Sequence, residues 1–369
     1  MQTDREVIAV TREECFNFAA GPSTMPRSVL ERAAGELLNY RGTGMSVMEM
    51  SHRSAPFQEI FDTAKASLRE LLAVPDSHEI LLLQGGATLQ FAAVAMNLLA
   101  GGTADYAVTG RFSARAAEEA KKYGTVHLAA DTSDTGHDRI PKQDELSLAP
   151  EAKYFYYCAN NTIYGTEWHY DPVTTCPLVC DMSSDILTRP VDFSRFALVY
   201  AGAQKNMAPA GLTVVIVDKS LVGHELPCTP EMMSYKVMVQ SDSMLNTPPC
   251  WCIYMLSLTL DWVRENGGVR GMDARKRARA ALLYDVLDES RLYLPHARRA
   301  DRSFMNVTFS TGSRELDALF VEGAAKRGLS GVKGHKVTGG MRASLYNAMP
   351  LEGAQKLADY MREFEREHV

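Results

Sequence analysis

The chain has 369 residues, 39 Lys and Arg against 45 Asp and Glu, a net charge of −6 and a hydrophobic fraction of 46%. That length and apolar content suffice for a large core, in two or three units or in one large domain with a smaller satellite. The mildly acidic balance lacks the basic footprint of a nucleic-acid binder, so an anionic ligand must be held by a local cluster of donors.

In chain order, the opening MQTDREVIAVTREE carries charges and no apolar h-region, and is expected to be neither a signal peptide nor an anchor. A helix over 26–40 is followed by a polar stretch, 41–56, and a helix over 57–72. A buried strand over 79–83 runs straight into Gly85-Gly86 and a helix over 87–99. The uncharged run 80–104 is long enough for a bilayer, but Gln84, Gly85, Gly86, Gln90, Asn97 and Gly101 interrupt it, so it is expected to be buried interior and no membrane partner is expected. A strand over 106–109, a helix over 113–123 and a strand over 126–129 continue the βα order. Strands over 154–159, 178–182, 198–201 and 212–217 complete an α/β domain with a mostly parallel sheet, whose functional residues should lie at strand ends. The uncharged run 243–260 contains a core helix over 251–266 that stops at Gly267-Gly268. A long basic helix over 272–287, a strand at MNVTF, a helix over 315–328 and a closing helix over 351–367 form a smaller α+β domain.

Seven cysteines and 18 methionines suit free thiols in a cytoplasmic protein. Cys176 and Cys180 with Cys250 and Cys252 have C-x3-C and C-x-C spacings that fit zinc sites poorly, so no metal is expected and these sulfurs are read as core.

The chemistry-bearing residues lie at the strand ends. Lys205, in YAGAQKNMAPAG, follows an apolar strand and sits among Gly202, Ala203, Ala208, Ala210 and Gly211, which let a planar group approach the backbone. A desolvated amine there can form a Schiff base, although a strand-end lysine can equally reach solvent. Asp181 ends another apolar strand, and a carboxylate facing the same crevice would keep a pyridine nitrogen protonated; a strand-end Asp can also be a cap or turn former. Gly85-Gly86-Ala87-Thr88 opens a helix with unpaired N–H groups that suit a phosphate, and Asn246-Thr247-Pro248-Pro249 reads as a second helix start with Thr247 as N-cap. Phe112 could lie on a ring, and Thr162 could donate to it. Arg342 in GGMRAS could grip a carboxylate with two parallel bonds, and the pairs His52-Arg53 and His335-Lys336 could hold a second anion.

Seven separated segments, FNFAAGPSTMP, MSVMEMSHRS, QGGATLQFAAV, CDMSSDILTRP, YAGAQKNMAPAGLTVVIV, LNTPP and GHKVTGGMRASLYNAMPLEG, resemble the phosphoserine aminotransferases in order and approximate spacing. The resemblance runs nearly end to end, and that family consists of pyridoxal 5'-phosphate transaminases of fold type I. It implies a seven-stranded large domain over 25–268, a small C-terminal domain over 269–369, and an N-terminal segment, 1–24, packed with the small domain. It implies Lys205 as the Schiff-base lysine and proton shuttle, Asp181 at the pyridine nitrogen, Phe112 stacked on the ring and Thr162 at the ring hydroxyl. Gln204 and Gly86, Ala87 and Thr88 would bind the cofactor phosphate, with Asn246 and Thr247 reaching it from the partner of a homodimer. Arg342 would hold the amino-acid carboxylate, and His52, Arg53, His335 and Lys336 the substrate phosphate, the last two from across the dimer. The implied reaction is ping-pong: L-glutamate gives up its amine and 3-phosphohydroxypyruvate becomes O-phospho-L-serine, with a vitamin B6 precursor as second substrate in some bacterial members.

Many members carry Arg at the positions of Thr88 and Lys336 and Trp at that of Phe112. Lys336 keeps charge but loses a bidentate fork, so Lys336→Arg is expected to lower KM for the phosphorylated substrate in steady-state assays; an unchanged KM would remove the basis for this expectation. Another fold type I transaminase, such as an alanine–glyoxylate or serine–pyruvate enzyme, would not need both basic pairs. A cysteine desulfurase would need a mobile nucleophilic cysteine. A non-catalytic relative would be expected to lose Lys205 or Asp181, and a nicotinamide dehydrogenase would carry G-x-G-x-x-G after its first strand.

Overall fold

The computed structural model describes residues 11–369; the start of the 1–24 segment, residues 1–10, lies outside the described residues. Strand β1 (Phe16–Asn17) leads to helices α1 (Arg27–Gly35) and α2 (Ala55–Leu72). Then come β2 (His78–Leu83), α3 (Gly86–Val94), β3 (Thr103–Val108), α4 (Arg111–Ala120), β4 (Thr125–Asp131), β5 (Ala152–Cys158) and the short pair β6 (Asn160–Asn161) and β7 (Thr166–Glu167). β8 (Leu178–Asp181), β9 (Phe196–Gly202) and β10 (Thr213–Asp218) precede α5 (Tyr235–Gln240), α6 (Cys250–Glu265) and α7 (Gly268–Glu289). The remainder comprises β11 (Leu294–Pro295), β12 (Asn306–Ser310), α8 (Arg314–Lys326), β13 (Leu329–Ser330), β14 (Met341–Ser344) and α9 (Leu351–His368).

A seven-stranded sheet in the order β2-β10-β9-β8-β5-β3-β4 forms the centre, with β10 alone antiparallel to its neighbours. Its inner strands β8, β9 and β10 read as near-continuous apolar runs because both faces are covered, whereas the edge strand β4 is largely exposed. Alternate side chains of β2 and β9, such as Ile80, Leu82, Val199 and Ala201, meet α2 and α6 in one cluster. Leu81, Leu83, Leu198 and Tyr200 meet α3 and α4 in another. A third cluster joins Phe16 and Phe18 to α7, α8, α9 and the three-stranded sheet β11-β12-β14, and β1 pairs in parallel with β13.

Four local expectations are corrected. The first helix ends at Gly35 rather than near residue 40, because Leu37 and Leu38 face outward and give a helix no apolar surface to bury. α3 gives way at Ala95–Leu99 to a π turn, where the Asn97 side chain takes on neighbouring backbone groups: it donates to Ala93 and Met233 carbonyls and accepts from Tyr235 N–H. Thr247 is not an N-cap: α6 starts at Cys250, after both prolines, since a residue preceding proline is pushed out of the helical region. Gly267, at φ +89, ends α6 as expected, but α7 begins at once at Gly268 instead of near 272. Among the described residues no helix is long and apolar enough to cross a membrane.

Candidate active site

The carboxyl ends of β2, β3, β5, β8 and β9 open on one side of the sheet, around a cleft of about 310 Å3. It is lined by Gly86, Ala87, Thr88, Phe112, Thr162, Asp181, Gln204, Lys205, His335 and Arg342, ten positions singled out in the sequence. Lys205 stands three residues beyond β9, in a turn closed by the amides of Met207 and Ala208 on the Ala203 carbonyl. Ser23 braces that turn from outside, its amide on the Gln204 carbonyl at 3.0 Å and its hydroxyl on the Lys205 carbonyl. Gly21, which runs beside the lysine, is glycine because of its φ of +133, since a Cβ there would make only an ordinary contact with Lys205 Cγ at 3.5 Å. Lys205 Nζ lies 5.8 Å from the Phe112 ring centroid.

Among the described residues Asp181 is the one carboxylate lining the cleft, and it is 5% exposed. Its Oδ1 accepts the Ser183 amide at 2.9 Å, and no lysine or arginine of the described chain pairs with it. A buried acid without a counter-ion needs a cationic partner, which a protonated ring nitrogen supplies. Beside it, Cys158 also lines the cleft, but burial and then the Asp181 charge push its thiol well above the ordinary range, making it a poor nucleophile.

The start of α3 also lines the cleft. Gly85 caps it at φ +91, and the first-turn amides of Gly86, Ala87 and Thr88 have no carbonyl one turn earlier to bond to. A Cβ on Gly85 would lie 2.3 Å from Leu89 Cδ2 and 2.8 Å from its Cβ. Gly85→Ala is therefore expected to destabilise the fold by about 1–3 kcal/mol and to weaken cofactor retention, measured by thermal unfolding with and without pyridoxal phosphate. A variant as stable and as well loaded as wild type would show that this turn is not the anion cradle.

Arg342, on β14, reaches in from the smaller sheet. One terminal nitrogen donates to the Thr162 carbonyl at 3.0 Å, while its Nε is buried without a partner among the described residues. Burial lowers its pKa from the ordinary value, yet a guanidinium of this kind keeps its charge near neutrality. The structure thus fits the cofactor and a substrate carboxylate: an amine, an uncompensated acid, the open amides of α3 and an under-bonded guanidinium line one cleft.

Five predicted residues lie outside the cleft lining of their own chain. Lys336 is exposed, and so are Asn246 and Thr247, whose side-chain and main-chain oxygens accept from Gln84 at 3.3 and 3.2 Å. His52 and Arg53 sit in the turn before α2. The sequence reading put His335 across a dimer interface; instead it lines the cleft of its own chain, because the turn after β13 carries it back toward β14 and Arg342. Sequence reasoning missed Asn160, Ser183 and Ser184 in the lining, and Arg111 beside Phe112. The two serines were signalled by their place directly after the strand that ends in Asp181. Asn160 is recognisable only from its tertiary partners, Ser184 Oγ at 2.9 Å and Asn306 Oδ1 at 2.8 Å.

The sequence pattern of the family described as aminotransferase class-V matches residues 15–357. A phosphoserine aminotransferase of Aromatoleum aromaticum is 50% identical over 95% of this chain and 98% of its own. A solved phosphoserine aminotransferase from Bacillus circulans subsp. alkalophilus superposes with a TM-score of 0.94, at 43% identity, over 97% of this chain and 100% of that one. A pyridoxal-phosphate-bound phosphoserine aminotransferase from Trichomonas vaginalis does so with a TM-score of 0.91, at 37% identity, covering 94% and 99%.

Proposed function

The chain belongs to the class-V aminotransferase family, and from that premise we propose that it moves the amino group of L-glutamate to 3-phosphohydroxypyruvate, giving O-phospho-L-serine and 2-oxoglutarate. It is a pyridoxal-phosphate-dependent transaminase of the α/β, fold type I architecture. The observation that carries the substrate reading is the cationic side of the cleft: among the described residues, Arg342 with a buried unpartnered Nε, and His335 near it, face no acid there but Asp181. A substrate with two anionic groups answers that imbalance, and the full-length likeness to phosphoserine aminotransferases supports the same choice.

Pyridoxal phosphate, when bound, supplies an aldehyde for the amine and a ring that accepts the electrons released at Cα. Lys205 Nζ would hold the cofactor and, when released from it, would be the base that takes the proton from the substrate's Cα. Asp181 would face the ring nitrogen, and Phe112 would lie against the ring. The α3 amides and Gln204 would hold the cofactor phosphate, with Thr162 near the ring hydroxyl. Arg342 fixes the α-carboxylate, orienting the Cα proton toward Nζ. His52, Arg53, His335 and Lys336 receive the distal anion.

The reading includes a homodimer with shared sites. It is supported by exposed Leu37, Leu38, Met45 and Met48, an apolar stretch suited to burial against a second copy, and by the position of Asn246, Thr247, His52 and Arg53 outside the cleft lining of their own chain. Chains carrying Lys205→Ala and chains carrying Asn246→Ala with Thr247→Ala, inactive or weak alone, are expected to recover activity when co-expressed. No recovery in a demonstrated mixed dimer would argue for self-contained sites. A boundary near residue 268 between a large and a small unit is supported by the separate apolar clusters, the smaller of which takes up α7 from Ala280 onward. Seven unpaired cysteines support a cytoplasmic setting.

The direct test is the visible spectrum of the purified holoenzyme before and after O-phospho-L-serine, with L-serine as control. The phosphorylated amino acid is expected to shift the cofactor band to that of its amine form, and serine to leave it in place. A band that phosphoserine leaves unchanged would keep the cofactor assignment and defeat the substrate.

A further inference from the structure

Resting on that reading, one pocket must take two substrates in turn whose distal groups differ in charge: a carboxylate of −1 and a phosphate close to −2. A cluster of permanently charged side chains presents the same charge to both, whereas a titratable one can change with the substrate. We propose that His335 adjusts its charge to the substrate, acting as a neutral donor to the glutamate carboxylate and as a protonated donor to the phosphate.

The geometry defines the neutral form. His335 Nδ1 accepts the amide N–H of Val337 at 3.2 Å, so this nitrogen carries no proton and the ring's single proton is on Nε2. The turn that fixes the ring is closed by the Thr338 and Gly339 amides on the His335 carbonyl, at 3.1 and 2.7 Å. The charged groups facing the ring are Arg342 from β14, Arg111 from the first turn of α4 and Lys336 from its own turn. None of these three cations has a carboxylate partner within ion-pair distance among the described residues. Asp181, the one acid lining the cleft among the described residues, is already engaged by the Ser183 amide and is not bonded to the ring. Burial and then the three cations hold the imidazole below its usual range.

A bound dianion reverses that balance, because it offsets the cations and favours the charged ring. The ring then gains one proton from solvent at Nδ1 and releases the Val337 amide. The sign follows: the empty-site pKa is depressed and the phosphate-bound one raised, so protons are taken up between the two values. Affinity for the phosphorylated ligand then falls as pH rises through the bound-state value. A carboxylate, with half the charge, raises the ring less.

The test uses the holoenzyme and two ligands that carry no amine and cannot react, 3-phosphoglycerate and glutarate. Titration calorimetry at pH 7.5 in buffers of different ionisation heat counts the protons bound, at a pH where the phosphate is already almost fully ionised. A fractional proton uptake is expected with 3-phosphoglycerate and a smaller one with glutarate. His335→Asn, a neutral donor of similar reach, is expected to remove the uptake while still binding both. Arg111→Ala removes one of the facing cations and favours the protonated ring in both states; because the empty-site ring is already neutral at pH 7.5, the uptake there is expected to be kept or to grow, and the pH at which it fades to move upward. Equal uptake for the two ligands, or undiminished uptake in His335→Asn, would overturn the proposal. If holoenzyme does not react with O-phospho-L-serine, the substrate reading fails; if it reacts and His335→Asn keeps the uptake, only the charge adjustment fails.

Discussion

Lys205→Ala is expected to reduce transamination by about 10⁴-fold or more, since it removes a covalent anchor and a proton carrier together. The fold should tolerate it: Nζ makes no hydrogen bond among the described residues, and the turn is held by the backbone of Ala203 to Ala208 and by Ser23. Thermal unfolding without cofactor should therefore match wild type. Single-turnover mixing with O-phospho-L-serine measures the loss, and added methylamine restoring part of the rate would locate the missing function at Nζ. Turnover within tenfold of wild type would defeat the assignment of Lys205.

Asp181→Asn is the second large effect, expected to lower kcat by about 10²–10³-fold. Asparagine keeps an oxygen for the Ser183 amide, so the turn after β8 persists, but the charge is lost from a site 5% exposed where no other acid lines the cleft. Since the carboxylate is asked to stabilise charge that develops on the ring, the loss should fall on kcat more than on KM for either amino acid. A change confined to KM would show that Asp181 only helps to bind. A further loss of unfolding stability in the cofactor-free protein would instead assign it a role in the turn.

Much of the frame was legible in the chain. Runs such as Leu-Leu-Leu before Gln84 and Leu-Val-Cys before Asp181 had to be strands covered on both faces, and each ended on a residue with chemistry. The antiparallel setting of β10 was not legible, because strand direction depends on how the 203–212 connection returns, and its composition allows either sense. The N-cap expected at Thr247 failed against the two prolines that follow, a local steric rule that overrode the capping preference.

The cleft separates the two sources of information. Sequence by itself determined the identities at the strand ends: a lysine among small residues, an acid after an apolar run, paired glycines before a helix. Those follow from short-range chemistry, in which a neighbour's size or backbone freedom is written next to the residue that needs it. Only the tertiary structure decided which of the basic residues share a cleft. Arg342 and Thr162, 180 positions apart, meet because β14 delivers a guanidinium to a carbonyl beyond β6, and His335 joins them in its own chain instead of a partner's. Such meetings depend on how two sheets pack across a cleft, where contact is set by burial of surfaces distant in the chain, and no local pattern records it.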